Sequence, residues 1–219
     1  MTRHKNIFRE EPKSFNGEDI VNRKFTKKFL YDADFRQTTL KSVNFNLAML
    51  EGARFDDSTL NLVSFRNAHL AHAKFRNAQM EGTDLSYDRM IPDQRNTCNY
   101  ADFSQSSLTG SNLSRSRLTY AKFDGSQLSD ANLDRATLIA ADFTGAICAS
   151  SSFRFANLSR SRLIGVDLRG ADLSFTNLSG ANLTDAIYDE TTIWRGTRYN
   201  QRTRWSMGNR IPAPLIGIR

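Results

Sequence analysis

Residues that build catalytic and metal centres are scarce in this chain. Among 219 residues there are three histidines, His4, His69 and His72, and two cysteines, Cys98 and Cys148. No Cys/His group has the spacing of a zinc site. Phosphate-cradling loops of the G-x-x-x-x-G-K-[ST] or G-x-G-x-x-G kind are missing. The many Ser and Thr have no histidine in register to serve as base. These absences argue against an enzyme, a cofactor and a metal. Four Pro and twelve Gly leave no low-complexity linker, so one elongated domain is expected. No apolar run is long enough for a membrane span. The charged opening Met1-Thr2-Arg3-His4-Lys5 is not followed by an apolar stretch, so no secretory signal is expected and the default compartment is the cytoplasm.

What the sequence does contain is a period of five. Large apolar residues stand at Phe15, Ile20, Phe25 and every fifth position to Met90, then from Cys98 through Phe103 and Leu108 to Ile193, 36 positions in all. Two residues earlier, from Ala33 to Thr83 and from Ala101 to Thr191, stand 30 residues that are all Ala, Ser, Thr or Val. Helices repeat near 3.6 residues and strands at 2, so neither template yields an unbroken five. A fixed repeat of this kind marks a solenoid in which each unit covers its neighbour. If each side of a coil is one pentapeptide, the large central side chain points into the axis. The residue two before it points in as well and must be small because the axis is narrow. Asp102, Asp142, Asp167 and Asp172 immediately precede central positions and read as outward or backbone-bonding groups. Gly110, Gly125, Gly145, Gly165 and Gly170 lie two residues after one, which suits corners of positive φ.

Units such as Ala101-Asp102-Phe103-Ser104-Gln105, Ala131-Asn132-Leu133-Asp134-Arg135 and Ala181-Asn182-Leu183-Thr184-Asp185 resemble the A(D/N)LXX motif of the pentapeptide-repeat proteins. The likeness is strong over residues 33–192 and weak over 13–32. It implies an all-β fold, a right-handed, four-sided parallel β-helix of about nine coils and about 43 Å at the usual strand spacing. Members are numerous in cyanobacteria, most have no assigned activity, and a minority protects DNA gyrase by imitating duplex DNA. The motif specifies a fold and says little of function.

Residues 1–12 read as an N-terminal arm, 13–193 as the solenoid and 194–219 as a basic C-terminal cap or tail. Lys13, Glu18, Arg23 and Lys28 occupy the normally small position, making the first coil, 13–32, a polar cap. Between Met90 and Cys98 the spacing is eight, so residues 91–97, with Pro92, are expected to bulge as a loop of three extra residues. Cys98 and Cys148 take inward positions on opposite sides of the axis, too far apart for a disulfide. His69 and His72 flank Leu70 and are expected on the solvent face.

Charge is uneven. Residues 193–219 hold Arg195, Arg198, Arg202, Arg204, Arg210 and Arg219 and no acid, whereas the rest is nearly balanced. Such a tail suits nucleic acid, an anionic membrane or an acidic protein patch. Equally, it reads as a cap in which Trp194, Tyr199 and Trp205 close the hydrophobic axis. Residues twenty apart stack, so Arg115, Arg135, Phe155 and Phe175 form one outward column, and the twice-occurring Leu-Ser-Arg-Ser-Arg-Leu adds Arg160 and Arg162 nearby. These are the candidate partner surface. Two classes of function follow: a structural or interaction module that presents flat faces to an unidentified protein, with self-association through a solenoid end open to it, or a topoisomerase-protecting DNA mimic. The second asks for a dense acidic surface, which the balance of charges does not supply.

Overall fold

The computed structural model describes residues 11–88 and 97–206. Its regular strands are short: β1 Asp19–Val21, β2 Thr39–Lys41, β3 Thr59–Asn61, β4 Asn182–Leu183 and β5 Arg204–Trp205. All pair in parallel, β1 with β2 with β3 and β4 with β5. Single parallel bridges fill the rest, with Ser14 opposite Asp34, Asp34 opposite Arg54 and Arg54 opposite Lys74. Over most of the chain the offset is twenty, so paired residues lie four pentapeptides apart along a parallel β-helix. The described residues contain no helix, so none is long and apolar enough to cross a membrane.

Inward side chains stack in four rows, which begin at Phe15 (row one), Ile20 (row two), Phe25 (row three) and Leu30 (row four). Row one is an aromatic ladder from Phe15 to Phe143, with successive rings 4.6–5.1 Å apart and nearly parallel. Phe25, Phe45 and Phe65 of row three meet it edge-on at 5.3–6.0 Å. Offset and edge-to-face pairs of this kind each add about 0.5–1.5 kcal/mol beyond burial. Where the small inward residue is Ser or Thr, its hydroxyl is usually paired inside: Thr38 donates to the Phe35 carbonyl, Ser126 to Phe123 and Ser161 to Leu158, at 2.6–2.7 Å. Asp and Asn before the central residue accept the N–H two residues on, as Asp102 does from Ser104 and Asn132 from Asp134. That bond is the physical content of the D/N in the motif. It also places Asp102, Asp142, Asp167 and Asp172 in backbone-bonding roles.

Three details differ from the sequence reading. First, Lys74 bridges Asp102, an offset of 28, and Leu70 N–H donates to the Thr97 carbonyl at 2.8 Å. The side centred on Leu85 is therefore followed directly by the side centred on Cys98, and the excursion amounts to eight extra residues, not three. Met90 and residues 91–96 lie outside the described residues. Second, Ile193 is 47% exposed and Trp194 3%. Here Asp189 accepts the N–H and hydroxyl of Thr191, and Thr192 takes the small inward place, so a one-residue insertion shifts the register. Beyond it the ladder runs on, with Asn177 opposite Arg198, and a second one-residue insertion then brings Leu183 opposite Trp205. Third, His69 is 7% exposed, because its side chain lies in a cleft lined by Met49, Tyr31 and Arg117.

Candidate interaction surface

Each side of the coil ends in a turn whose second residue has positive φ. Among the described residues twenty-three of these are not glycine, including Arg115, Arg135, Phe155 and Phe175 at 59–61°. The N–H of Arg115 donates to the Asp134 carbonyl, that of Arg135 to Arg154 and that of Phe155 to Ser174. These bonds set the four residues in one column at the corner between rows three and four. The Phe155 and Phe175 rings stack at 4.9 Å and 7°, and they are 43% and 40% exposed. The Arg135 guanidinium sits 4.7 Å from the Phe155 centroid and that of Arg195 5.9 Å from Phe175. Gly196 ends the column, and a Cβ there would meet the Phe175 ring at 2.7 Å, so only glycine leaves room for it.

Arg160 stands at the next corner, between rows four and one, at φ 59°. Arg162, two residues on, turns onto row one and pairs with Asp142 at 3.6 Å. The candidate column and Arg160 thus border one face, and Arg162 belongs to another. Arg195, Arg198 and Arg204 lie within the coils, since each aligns with a residue of the preceding coil. They are not a free tail. Arg210 lies outside the described residues. A second aromatic ladder went unnoticed in the sequence. His72, Tyr100 and Tyr120 stack at 4.9 and 5.1 Å along the Arg160 corner. Its signal was available, since Tyr100 and Tyr120 are twenty residues apart, but His72 is related to them only through the excursion.

Several aspartates elsewhere are paired with arginine. Arg36 holds both oxygens of Asp34, and that hydrogen-bonded pairing pulls the carboxyl down to about 2. Arg76 donates to Asp56 at 2.9 Å, and Arg169 grips Asp167, lowering its pKa. Both cysteines are free and buried, and desolvation raises the Cys98 thiol to about 12 and that of Cys148 further still. Among the described residues no group of three His, Cys, Asp or Glu is placed to hold a metal.

The profile of the family described as "Pentapeptide repeats" matches in eight copies, over residues 30–67, 50–86, 98–135, 131–170 and 151–187. The chain is a pentapeptide-repeat protein. Pentapeptide-repeat proteins fold as right-handed β-helices. Among solved structures, this pentapeptide-repeat protein is similar to HetL, involved in heterocyst differentiation regulation in the cyanobacterium Nostoc sp. strain PCC 7120, at 24% identity over 85% of this chain and 86% of that one, TM-score 0.38. It is similar to Rfr23 from the cyanobacterium Cyanothece 51142 at 24% identity over 61% and 91%, TM-score 0.39. It is also similar to QnrB1, a plasmid-mediated fluoroquinolone resistance protein, at 16% identity over 86% and 92%, TM-score 0.43. No curated protein matches at a significant level.

Proposed function

We propose that the protein is a non-catalytic interaction module, a rigid four-sided, right-handed solenoid of about nine coils that offers its faces to a protein partner in the cytoplasm. The observation that carries the reading is the column Arg115–Arg135–Phe155–Phe175. Two large rings are held partly exposed at a corner where the backbone itself adopts a disfavoured conformation, and that arrangement supplies desolvatable area beside cationic groups. The rings are fixed by stacking before any partner arrives, which lowers the ordering cost of binding. Buried thiols suit a reducing compartment. On this reading residues 194–206 continue the solenoid and close its axis.

The rival, a DNA mimic that shields a topoisomerase, needs a face of unneutralised carboxylates standing in for phosphates. Asp34, Asp56, Asp142 and Asp167 instead have arginine partners on their own rows. The two are told apart by affinity capture from the native organism with the intact chain and with Phe155→Ser/Phe175→Ser. We expect the double variant to stay folded, to lose about 1–2 kcal/mol of stacking and cation–π energy, and to lose the captured protein. Equal capture by both forms would remove this corner from the interface. Dose-dependent protection of gyrase supercoiling from a quinolone would establish the rival.

A further inference from the structure

Arginines differ in whether a carboxylate meets them. Among the described residues Arg36, Arg54, Arg66, Arg76, Arg154, Arg162 and Arg169 each have a carboxylate within 4 Å. They stand on or beside rows one, two and three. Among the described residues Arg115, Arg135, Arg160, Arg198 and Arg202 have none, and Arg23, Arg195 and Arg204 on other rows have none either. The first five lie on row four after the excursion or on its two corners, the densest group of such arginines. Arg115 and Arg135 form one rim with Phe155 and Phe175, while Arg160 and Arg202 form the other. There Gly180 sits between them, its Cβ direction 3.7 Å from Arg160 Cγ and 3.9 Å from Arg202 Cβ. Arg198 projects from the floor, which also carries Arg117 and Ile139 and is elsewhere amide and hydroxyl: Thr119, Thr137, Asn157, Ser159, Asn177 and Ser179. No Asp or Glu occurs in the segments 97–100, 115–120, 135–140, 155–160, 175–180 and 196–202 that build this face and its rims. Asp134, the nearest acid along the chain, turns away onto row three, where it accepts from Ser152 Oγ and Arg154 N–H.

We propose that this acid-free face docks a carboxylate-rich extended segment of a protein partner. The proposal rests on the interaction-module reading and gives its partner a chemistry. Five guanidiniums without carboxylates form a field that nothing within the described residues neutralises, and a planar fork suits carboxylate oxygens. A nucleic acid fits the same charge less well for two reasons. Both faces of Phe155, Phe175 and Tyr100 are taken by a neighbouring ring or guanidinium, which leaves only the outer face of Tyr120 as a platform for a base. Rim arginines recur every one or two coils, about 5–10 Å, whereas a duplex presents a charge about every 1.7 Å. Alternate side chains of an extended peptide, about 7 Å apart, match the rim better. The amide and hydroxyl floor can hydrogen-bond to such a peptide's backbone.

The test measures anisotropy of a fluorescent peptide of alternating Glu and Ser, long enough to span the face, and of a single-stranded DNA of equal charge. Each is titrated with the full chain, with Arg115→Gln/Arg135→Gln/Arg160→Gln/Arg198→Gln, and with Arg36→Gln/Arg162→Gln as a control on row one. Circular dichroism and tryptophan emission confirm that each variant is folded. We expect the peptide to bind in a salt-sensitive way, to be weakened about tenfold or more by the quadruple variant and by less than about twofold by the control. Peptide binding that is indifferent to the quadruple variant, DNA binding tighter than peptide, or no peptide binding at all would each overturn the proposal. In the last case, a captured partner that depends on Phe155 and Phe175 would leave the interaction module standing without this chemistry.

Discussion

Thr83 and Ser111 are neighbours across the excursion: the Asn112 N–H donates to the Thr83 carbonyl at 2.9 Å, and both hydroxyls are buried without a hydrogen-bond partner. Other inward hydroxyls bond to carbonyls of the core. The joint where the ladder skips eight residues is therefore also where its internal polar accounting fails.

Removing one of these hydroxyls is expected to help. Ser111→Ala should leave stability unchanged or raise it by up to about 1 kcal/mol, because an unpaired buried hydroxyl carries a desolvation penalty. Ser126→Ala, which deletes the bond to the Phe123 carbonyl, should cost about 1 kcal/mol. Urea midpoints of the two variants check the contrast. Equal losses would mean that Ser111 has a partner in solution.

Corner strain gives a second handle. Leu62 is 74% exposed at φ 55°, a conformation that costs a branched side chain about 1–2 kcal/mol. Leu62→Gly removes that cost and adds back part of it as chain entropy, so a net gain of about 0.5–1 kcal/mol is expected. Thermal melting at fixed pH is the measurement, and a lowered midpoint would show that the Leu62 side chain packs more than its exposure implies.

The thiols are predicted to be silent in the native state. Cys98 and Cys148 are buried, and raised pKa values keep both as thiols at neutral pH. A thiol reagent should label neither until denaturant is added, and mild oxidation should leave the mass unchanged. Rapid labelling of either cysteine without denaturant would contradict its place on the axis.

Acid sensitivity follows from Asp34. Its folded pKa, about 2, lies below the unfolded value, so the Arg36 pair stabilises the fold above the unfolded pKa and that contribution fades as pH falls toward 2. Because the arginine is exposed to solvent, the contribution is small. Asp34→Asn should flatten the pH dependence of stability between about 4 and 2 and leave it unaltered above. An unaltered slope in the acid window would mean that the pair is not formed in solution.

The inward pattern was legible because each pentapeptide must satisfy the same steric demand: Phe103, Leu108 and Leu113 could each be assigned from spacing alone. The excursion was not, because Met90 falls five residues after Leu85 and fits the spacing, whereas Cys98 takes the place in the ladder above Leu70. Only pairing across coils, Lys74 with Asp102, reveals the true offset. Trp194 was read as closing the axis and Ile193 as the rung before it, because Ile193 matches the spacing; Asp189, capping a wider turn, gives the rung to Trp194 instead. The Arg135–Phe155–Phe175 column was readable from residues twenty apart. The division of arginines was not, since whether Arg160 or Arg162 meets a carboxylate depends on which side of a corner each one falls.

Both tryptophans lie at one end, Trp194 buried and Trp205 half-buried against it, with ring centroids 5.9 Å apart. In a stack where each coil touches only its neighbours, opening can begin at an end and spread. Intrinsic emission from this protein is therefore a spectroscopic tag on the last two described coils, installed by the sequence itself. Far-ultraviolet dichroism averages over the whole column. A gap between the two signals during unfolding would time the peeling of the C-terminal end, and a vanishing gap would show that the column breaks as one unit.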